Sequence, residues 1–242
     1  MEAALPPVRR PAVAMLARDP ATAGKTRLGV RGRRAHALRL ALLLDSIDAV
    51  AAAGHPVVLF VTPAEGVASV RARLAADAGL AARAARIDVA PQADGDLGAR
   101  MTHAVAATLA RGHDAVVLVG SDAPDLPAPV VDEALDAVRA GGPGRVVLGP
   151  AEDGGFYLFA GRALPAGLFQ GVTWSRPDVL DAVMARARAA GVEVVLVRRW
   201  RDVDTAADLA ALMARAGPSA PRTRAVLATG GDAAGGVEQS RV

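Results

Sequence analysis

The chain has 242 residues, 52% hydrophobic and 22% charged, with a mean hydropathy of +0.28, which suits one globular domain and excludes disordered and fibrous classes. The formal net charge is only +3, so the isoelectric point of about 10.4 reflects arginine's high pKa, and aromatics at 3% supply no stacking platforms for nucleic acid. The absence of cysteine removes disulfides, thiolate zinc sites and cysteine nucleophiles; with no apolar leader and no run near the roughly 18 apolar residues of a membrane span, a cytoplasmic protein without membrane partners is expected.

Residues 12–17 (AVAMLA) read as a buried strand, followed by a polar loop and a helical pattern from about 31 to 53. Further apolar runs at 57–61, 87–90, 115–119 and 145–149 are spaced by Ala/Arg/Leu-rich stretches of helical period. That alternation predicts an α/β fold with a mainly parallel sheet. Residues 155–160 and 193–198 supply two more strands, one of them expected to be antiparallel, and 205–215 reads as a last helix. The expected organisation is a flexible N-terminus over 1–10, a single domain over 11–216 and a disordered Gly/Ala/Pro-rich tail over 217–242.

In open parallel sheets ligands bind beyond the carboxyl ends of the strands, so the loops after strands carry the chemistry. The first of them, Asp19 to Thr26, ends in GKT between a strand and a helix, the position of a phosphate-binding loop. The Walker pattern fails at its first glycine, where Asp19 stands and would oppose phosphate. Lys25 is the only lysine in a chain that otherwise uses arginine. A position that keeps a compact ammonium suits a phosphate oxygen, with Thr26 and Arg27 beside it.

The run VVLVGSDAPDLP places Ser121 and Asp122 directly after a strand, where a carboxylate faces the cleft. Mg²⁺ and Mn²⁺ take oxygen ligands and share their shell with substrate phosphates, so Asp122 is the expected metal ligand. Asp125 is either a second ligand or a helix cap before Pro127. In the loop from Gly149 to Tyr157, Asp153 is either a ligand-orienting carboxylate or the Asp of an Asp-Gly turn, and Glu152, Gly154 and Gly155 flank it. Asp96 reads as a helix cap, with Gly98 beside it and Arg100 able to reach phosphate. Trp174 and Ser175 precede another helix; Ser175 and Asp204 read as ordinary caps, and Asp202 is a further carboxylate candidate. The four histidines show neither zinc spacing nor a triad pattern.

Taken in order, AVAMLARDP…GKTRLG, GDLGARM, VLVGSDAPDLP, VVLGPAEDGGFYLFA, VTWSRPDVL and DVDTAADL resemble a bacterial family of GT-A-like transferases. Its members carry the labels radical-SAM/selenodomain-associated transferase, arsenosugar-biosynthesis glycosyltransferase or domain of unknown function. The resemblance runs from about residue 11 to 213. It implies a nucleotide-diphospho-sugar transferase fold, similar at greater distance to 2-phospho-L-lactate and molybdenum-cofactor guanylyltransferases. It also implies that Lys25 to Leu28 lies beside nucleotide phosphates, that Asp122 matches the metal-binding aspartate, and that Glu152 to Gly155 lines the acceptor side. Two departures stand out: Gly24 sits directly against Lys25, where the family loop has glycine earlier, and Phe156 replaces a common tyrosine, leaving Tyr157 as the only tyrosine.

The expected activity is therefore glycosyl transfer from a nucleotide-diphospho-sugar to a small-molecule acceptor, with Mg²⁺ or Mn²⁺ at Asp122 and with Lys25 and Asp153 in catalytic roles. Nucleotidyl transfer from a nucleoside triphosphate to a phosphorylated small molecule is the alternative, and a non-catalytic nucleotide-binding protein a third.

Overall fold

The computed structural model describes residues 10–229; residues 1–9 of the expected flexible N-terminus (1–10) and 230–242 of the expected tail (217–242) lie outside the described residues. Seven strands and eight helices run in the order β1 (Ala12–Arg18), α1 (Gly32–Ala51), β2 (Val57–Thr62), α2 (Gly66–Ala76), α3 (Ala78–Ala81), β3 (Ile87–Pro91), α4 (Leu97–Ala110), β4 (Val116–Gly120), α5 (Pro129–Arg139), β5 (Val146–Pro150), β6 (Phe156–Gly161), α6 (Val179–Ala189), β7 (Val194–Leu196), α7 (Ala206–Ala214) and α8 (Pro221–Ala228). The expected α/β class, the strand count and the antiparallel member all hold. One sheet has the order β3-β2-β1-β4-β6-β5-β7, in which β6 alone runs against its neighbours β4 and β5. No described helix is long and apolar enough to cross a membrane.

Strand alternation divides the core between the two faces of the sheet. Val13, Met15 and Ala17 of β1, with Val57, Leu59 and Val61 of β2, pack against α1, α2 and α5. Ala14, Val58, Phe60 and Leu118 point the other way, onto α4 and α6. Both faces of the central strands are thus covered, which is why their sequences are continuous apolar runs rather than alternating ones.

The expected end of the domain at residue 216 is corrected by α8. Its weak apolar periodicity gives no signal in sequence: Val226 and Leu227 pack on the cluster around Leu38 and Leu42, and an ionic cluster adds to that hold. Asp45 of α1, buried, accepts from the backbone nitrogens of Arg222 (3.2 Å) and Thr223 (2.7 Å) at the first turn of α8, where a carboxylate complements the helix dipole. The Arg222 guanidinium reaches Asp45 at 3.0 Å, Asp48 at 3.3 Å and Asp77 at 2.8 Å. These partners hold its pKa above the usual arginine range, the hydrogen bonds it donates to Asp77 contributing most. Arg222→Ala leaves Asp45 buried without a counter-charge. It should cost about 3 kcal/mol, seen as a melting temperature lowered by roughly 6–12 °C.

Candidate active site

The order of the sheet reverses at β1: β2 and β3 lie on one side of it and β4 on the other. Loops leaving the carboxyl ends of β1 and β4 therefore part, and a cleft of about 490 Å³ opens between them. Four cationic side chains line it, Arg18, Lys25, Arg39 and Arg100, together with Asp19, Ser121 and Asp122. Arg39 Nε is steadied by Pro20 O (3.0 Å) and Arg100 Nε by Gly95 O (3.0 Å), so backbone carbonyls rather than carboxylates fix them. Such a cleft attracts an anion. Asp19 does not oppose it as the sequence suggested. Its carboxylate turns inward, accepting from Ala21 N at 2.9 Å and lying so close to Gly66 that a Cβ there would fall 2.6 Å from Oδ2.

The only lysine is the hub of an acidic cluster at the edge of this cleft. Lys25 Nζ donates to Asp204 Oδ1 at 2.9 Å and to Val203 O at 2.7 Å, and it pairs with Asp122 Oδ1 at 2.9 Å. Arg27 adds a longer contact to Asp204 at 3.7 Å. Burial alone would lower the Lys25 pKa, but Asp122 and Asp204 outweigh it and hold the ammonium above its ordinary value. The backbone of Lys25 takes a left-handed conformation with φ 51°, uncommon for a residue with a Cβ. Asp122 is anchored as well, since its carbonyl accepts from Val203 N at 2.7 Å.

Asp202 completes the cluster. Burial, and then the charges of Asp122, Asp204 and Asp153, push its carboxyl up to about 7, with Lys25 opposing. The folded state therefore binds this proton more tightly than the unfolded chain, whose carboxyl titrates near 3.8. The associated stability is complete below that value and is lost as pH rises through about 7. Asp202→Asn should accordingly raise the melting temperature at pH 8 by a few degrees and leave it unchanged near pH 4, which a thermal scan against pH checks.

The remaining candidates divide. Asp153 stays near the cluster, accepting from Gly155 N at 3.0 Å in a tight turn whose Gly154 has φ 90°. Glu152 pairs with Arg201 at 3.2 Å. Thr26 is exposed in a short 3-10 turn. Several residues are not brought to the cleft. Asp125 faces away and is buried against Arg215 at 2.6 Å, which in turn lies over the Trp200 ring, so it neither joins Asp122 nor caps α5. Trp174 packs with Phe156 and Phe169 under the sheet. Gly98 serves that packing, because a Cβ on it would meet Phe169 O at 2.4 Å. Ser175 lies in the left-handed region and caps nothing; α6 begins after Asp178. Asp96 caps α4 as expected, accepting from Ala99 N at 2.8 Å. Tyr157 gives its hydroxyl to Arg198 O at 2.9 Å, and burial pushes its pKa up to about 12, so it is a neutral structural group.

Asp204 was hidden by its neighbour. Thr205 is the true cap of α7, in a reciprocal box with Asp208, which frees Asp204 to turn toward Lys25. Among the described residues no three acidic or histidine side chains form a ready-made metal cage.

A family model described as an uncharacterized protein conserved in bacteria (DUF2064) matches residues 44–176. The chain belongs to that family. No curated protein matches it. Among solved structures, a family-level similarity extends to a Desulfovibrio desulfuricans G20 protein provisionally named a nucleotide-diphospho-sugar transferase: 30% identity over 92% of this chain and 95% of that one, with a TM-score of 0.74. The fold is shared more distantly with 4-diphosphocytidyl-2C-methyl-D-erythritol synthase of Anaerococcus prevotii, 12% identical over 86% of this chain and 99% of that one, TM-score 0.55. It is shared likewise with a CMP:2-keto-3-deoxy-manno-octonic acid synthetase complexed with CTP, 14% identical over 85% and 98% of the two chains, TM-score 0.53. This DUF2064 member thus has a nucleotide-diphospho-sugar transferase-like fold.

Proposed function

We propose that this protein is a metal-dependent glycosyltransferase that takes a nucleotide-diphospho-sugar donor and a small-molecule acceptor. The observation that carries the reading is the juxtaposition, at the sheet's reversal point, of a strand-end carboxylate, Asp122, with four cationic side chains in one cleft. The 30% identical Desulfovibrio protein, by its name, supports the same class.

The residues fit a hard divalent cation. Their donors are carboxylate oxygens, and the ammonium of Lys25 already marks the cluster as a place where positive charge is held. Asp122 would hold Mg²⁺ or Mn²⁺, with Asp202 replacing Asp125 as the second protein ligand and substrate oxygens completing the shell. When bound, the cation neutralises charge on the departing diphosphate. Arg18, Arg39 and Arg100 orient the diphosphate, and Lys25 is positioned to pass from Asp122 to a phosphate oxygen. The sugar C1–O bond to the β-phosphate breaks and a bond from C1 to the acceptor oxygen forms, while the acceptor's proton leaves. Asp153, on the turn beside Asp202, is positioned to orient that acceptor or receive the proton at a carboxylate oxygen.

Nucleotidyl transfer is the second reading, favoured by one observation: besides Lys25, three arginines, Arg18, Arg39 and Arg100, line the cleft with no carboxylate partner among the described residues, and so suit a triphosphate as well as a diphosphate. Product analysis separates the two. Donors are incubated with Mn²⁺, with water as the acceptor of last resort. Release of nucleoside diphosphate from a nucleotide sugar supports glycosyl transfer, and release of pyrophosphate from a triphosphate supports nucleotidyl transfer. Neither product, across all common bases, rejects both.

A further inference from the structure

Three oxygens from two separate segments converge on one point at the edge of the cleft: Asp122 Oδ1 beyond β4, and Val203 O and Asp204 Oδ1 ahead of α7. Lys25 Nζ fills that point, at 2.9, 2.7 and 2.9 Å from them. Two carboxylates and a carbonyl are also the kind of shell that a hard divalent cation takes, at shorter distances of about 2.1 Å for Mg²⁺. Away from this point Asp122 has only Oδ2 to offer a cation, and among the described residues no three acidic or histidine side chains form a cage elsewhere. An ammonium and a metal ion that both draw on these lone pairs cannot share them.

The ammonium is able to leave without the backbone moving. Leu28, three residues on, is buried in one apolar cluster with Val203, Leu209 and Leu212, which pins the loop beside α7. The Lys25 side chain itself lines the cleft together with Arg18, Arg39 and Arg100, and its flexible four-carbon stem turns the charge from one wall toward the interior. Phosphate oxygens held by the three arginines would give Nζ a second set of acceptors.

We propose that Lys25 and the divalent cation exclude one another at Asp122 and Asp204, so that Lys25 keeps the metal out until the phosphates of a nucleotide draw its ammonium into the cleft. The inference rests on the reading of Asp122 as a metal ligand in a nucleotide site. Metal arriving alone must first break the pairs that Lys25 makes with Asp122 and Asp204 and its hydrogen bond to Val203 O, whereas metal arriving with a nucleotide finds those oxygens vacated. For partly exposed ion pairs this difference corresponds to about tenfold in metal affinity.

The test is titration of the full chain with Mn²⁺ in the absence of nucleotide, followed by the electron paramagnetic resonance signal of the free ion, on the wild type, Lys25→Met and Arg27→Met. Lys25→Met should bind Mn²⁺ about tenfold more tightly than the wild type. Arg27, 74% exposed and 3.7 Å from Asp204, supplies the control for net charge, and its loss should change the affinity by less than about twofold. A second measurement needs no variant to fold: because Lys25 is the only lysine, its acylation by acetic anhydride is read directly by mass spectrometry, and saturating Mn²⁺ alone should raise its rate severalfold. Equal Mn²⁺ affinity in the wild type and a folded Lys25→Met overturns the proposal, as does an equal gain in Arg27→Met or a Lys25 acylation rate that bound Mn²⁺ leaves unchanged. In each of those outcomes Mn²⁺ still binds, so the metal reading survives and only the exclusion falls. If Mn²⁺ binds none of the three proteins the proposal also falls, and the metal reading falls with it only if CDP, ADP, GDP and UDP all fail to recruit the ion.

Discussion

Asp122→Ala is expected to abolish the stabilisation that a nucleotide and Mn²⁺ together confer on the wild type, while leaving the free protein nearly as stable as before. The second half follows from the geometry. The side chain is 39% exposed, Lys25 keeps Asp204 and Val203 O as partners, and the bond from Val203 N to the carbonyl of residue 122 does not involve the carboxylate. The first half follows from linkage: a ligand at a hundred times its Kd adds about 2.7 kcal/mol, or roughly 5–10 °C in a chain of this size. Differential scanning fluorimetry with and without both ligands reads the effect directly. Turnover should fall by about a hundredfold or more, the usual consequence of removing one charge-stabilising group from a closed site. A variant that retained the full metal-dependent shift would remove Asp122 from the site.

Lys25 is the second position of large effect. Lys25→Met leaves Asp122, Asp202 and Asp204 without their shared counter-charge, so the free protein should lose about 1–2 kcal/mol, a figure moderated by the solvent access of Asp122 and Asp204. The loss should be largest at pH 8 and shrink toward pH 5, where Asp202 has taken up its proton and less negative charge remains to repel. Lys25→Arg separates charge from shape. A planar guanidinium cannot reproduce, from the space an ammonium occupies, the hydrogen bonds to Asp204 and Val203 O together with the ion pair to Asp122. It should recover part of the pH 8 stability and little of the activity. Full activity in Lys25→Arg would mean that any cation suffices there.

The seven strands were legible because each is a short apolar run between breakers, and buried parallel strands have no polar face to confuse the pattern. The strand-end position of Asp122 was legible for the same reason, since it follows directly from the end of β4. The partners of Lys25 were not. Asp204 resembles any helix cap, and only the reciprocal box between Thr205 and Asp208 relieves it of that duty. Its approach to Asp122 depends on β7 pairing beside β5, a contact that no local window contains. Asp125 has the same spacing from a proline that a cap would have, and its commitment to Arg215 is purely tertiary. Arg18 and Arg39 went unnoticed among many arginines, while Lys25 stood out because it was the exception. Helix α8 is illegible in sequence because only Val226 and Leu227 give it an apolar contact with the cluster around Leu38 and Leu42, and the ionic cluster of Arg222 supplies the rest of its hold on α1.

The hydrogen bond between Lys25 and Asp204 joins residues 179 apart in sequence. During synthesis Lys25 therefore emerges long before Asp204 and Val203, the acceptors of its hydrogen bonds. Contacts of such long range are the last to be rewarded in folding. Chains truncated before residue 203 would have most of the sheet and still lack both Val203 O and Asp204, the hydrogen-bond partners of Lys25.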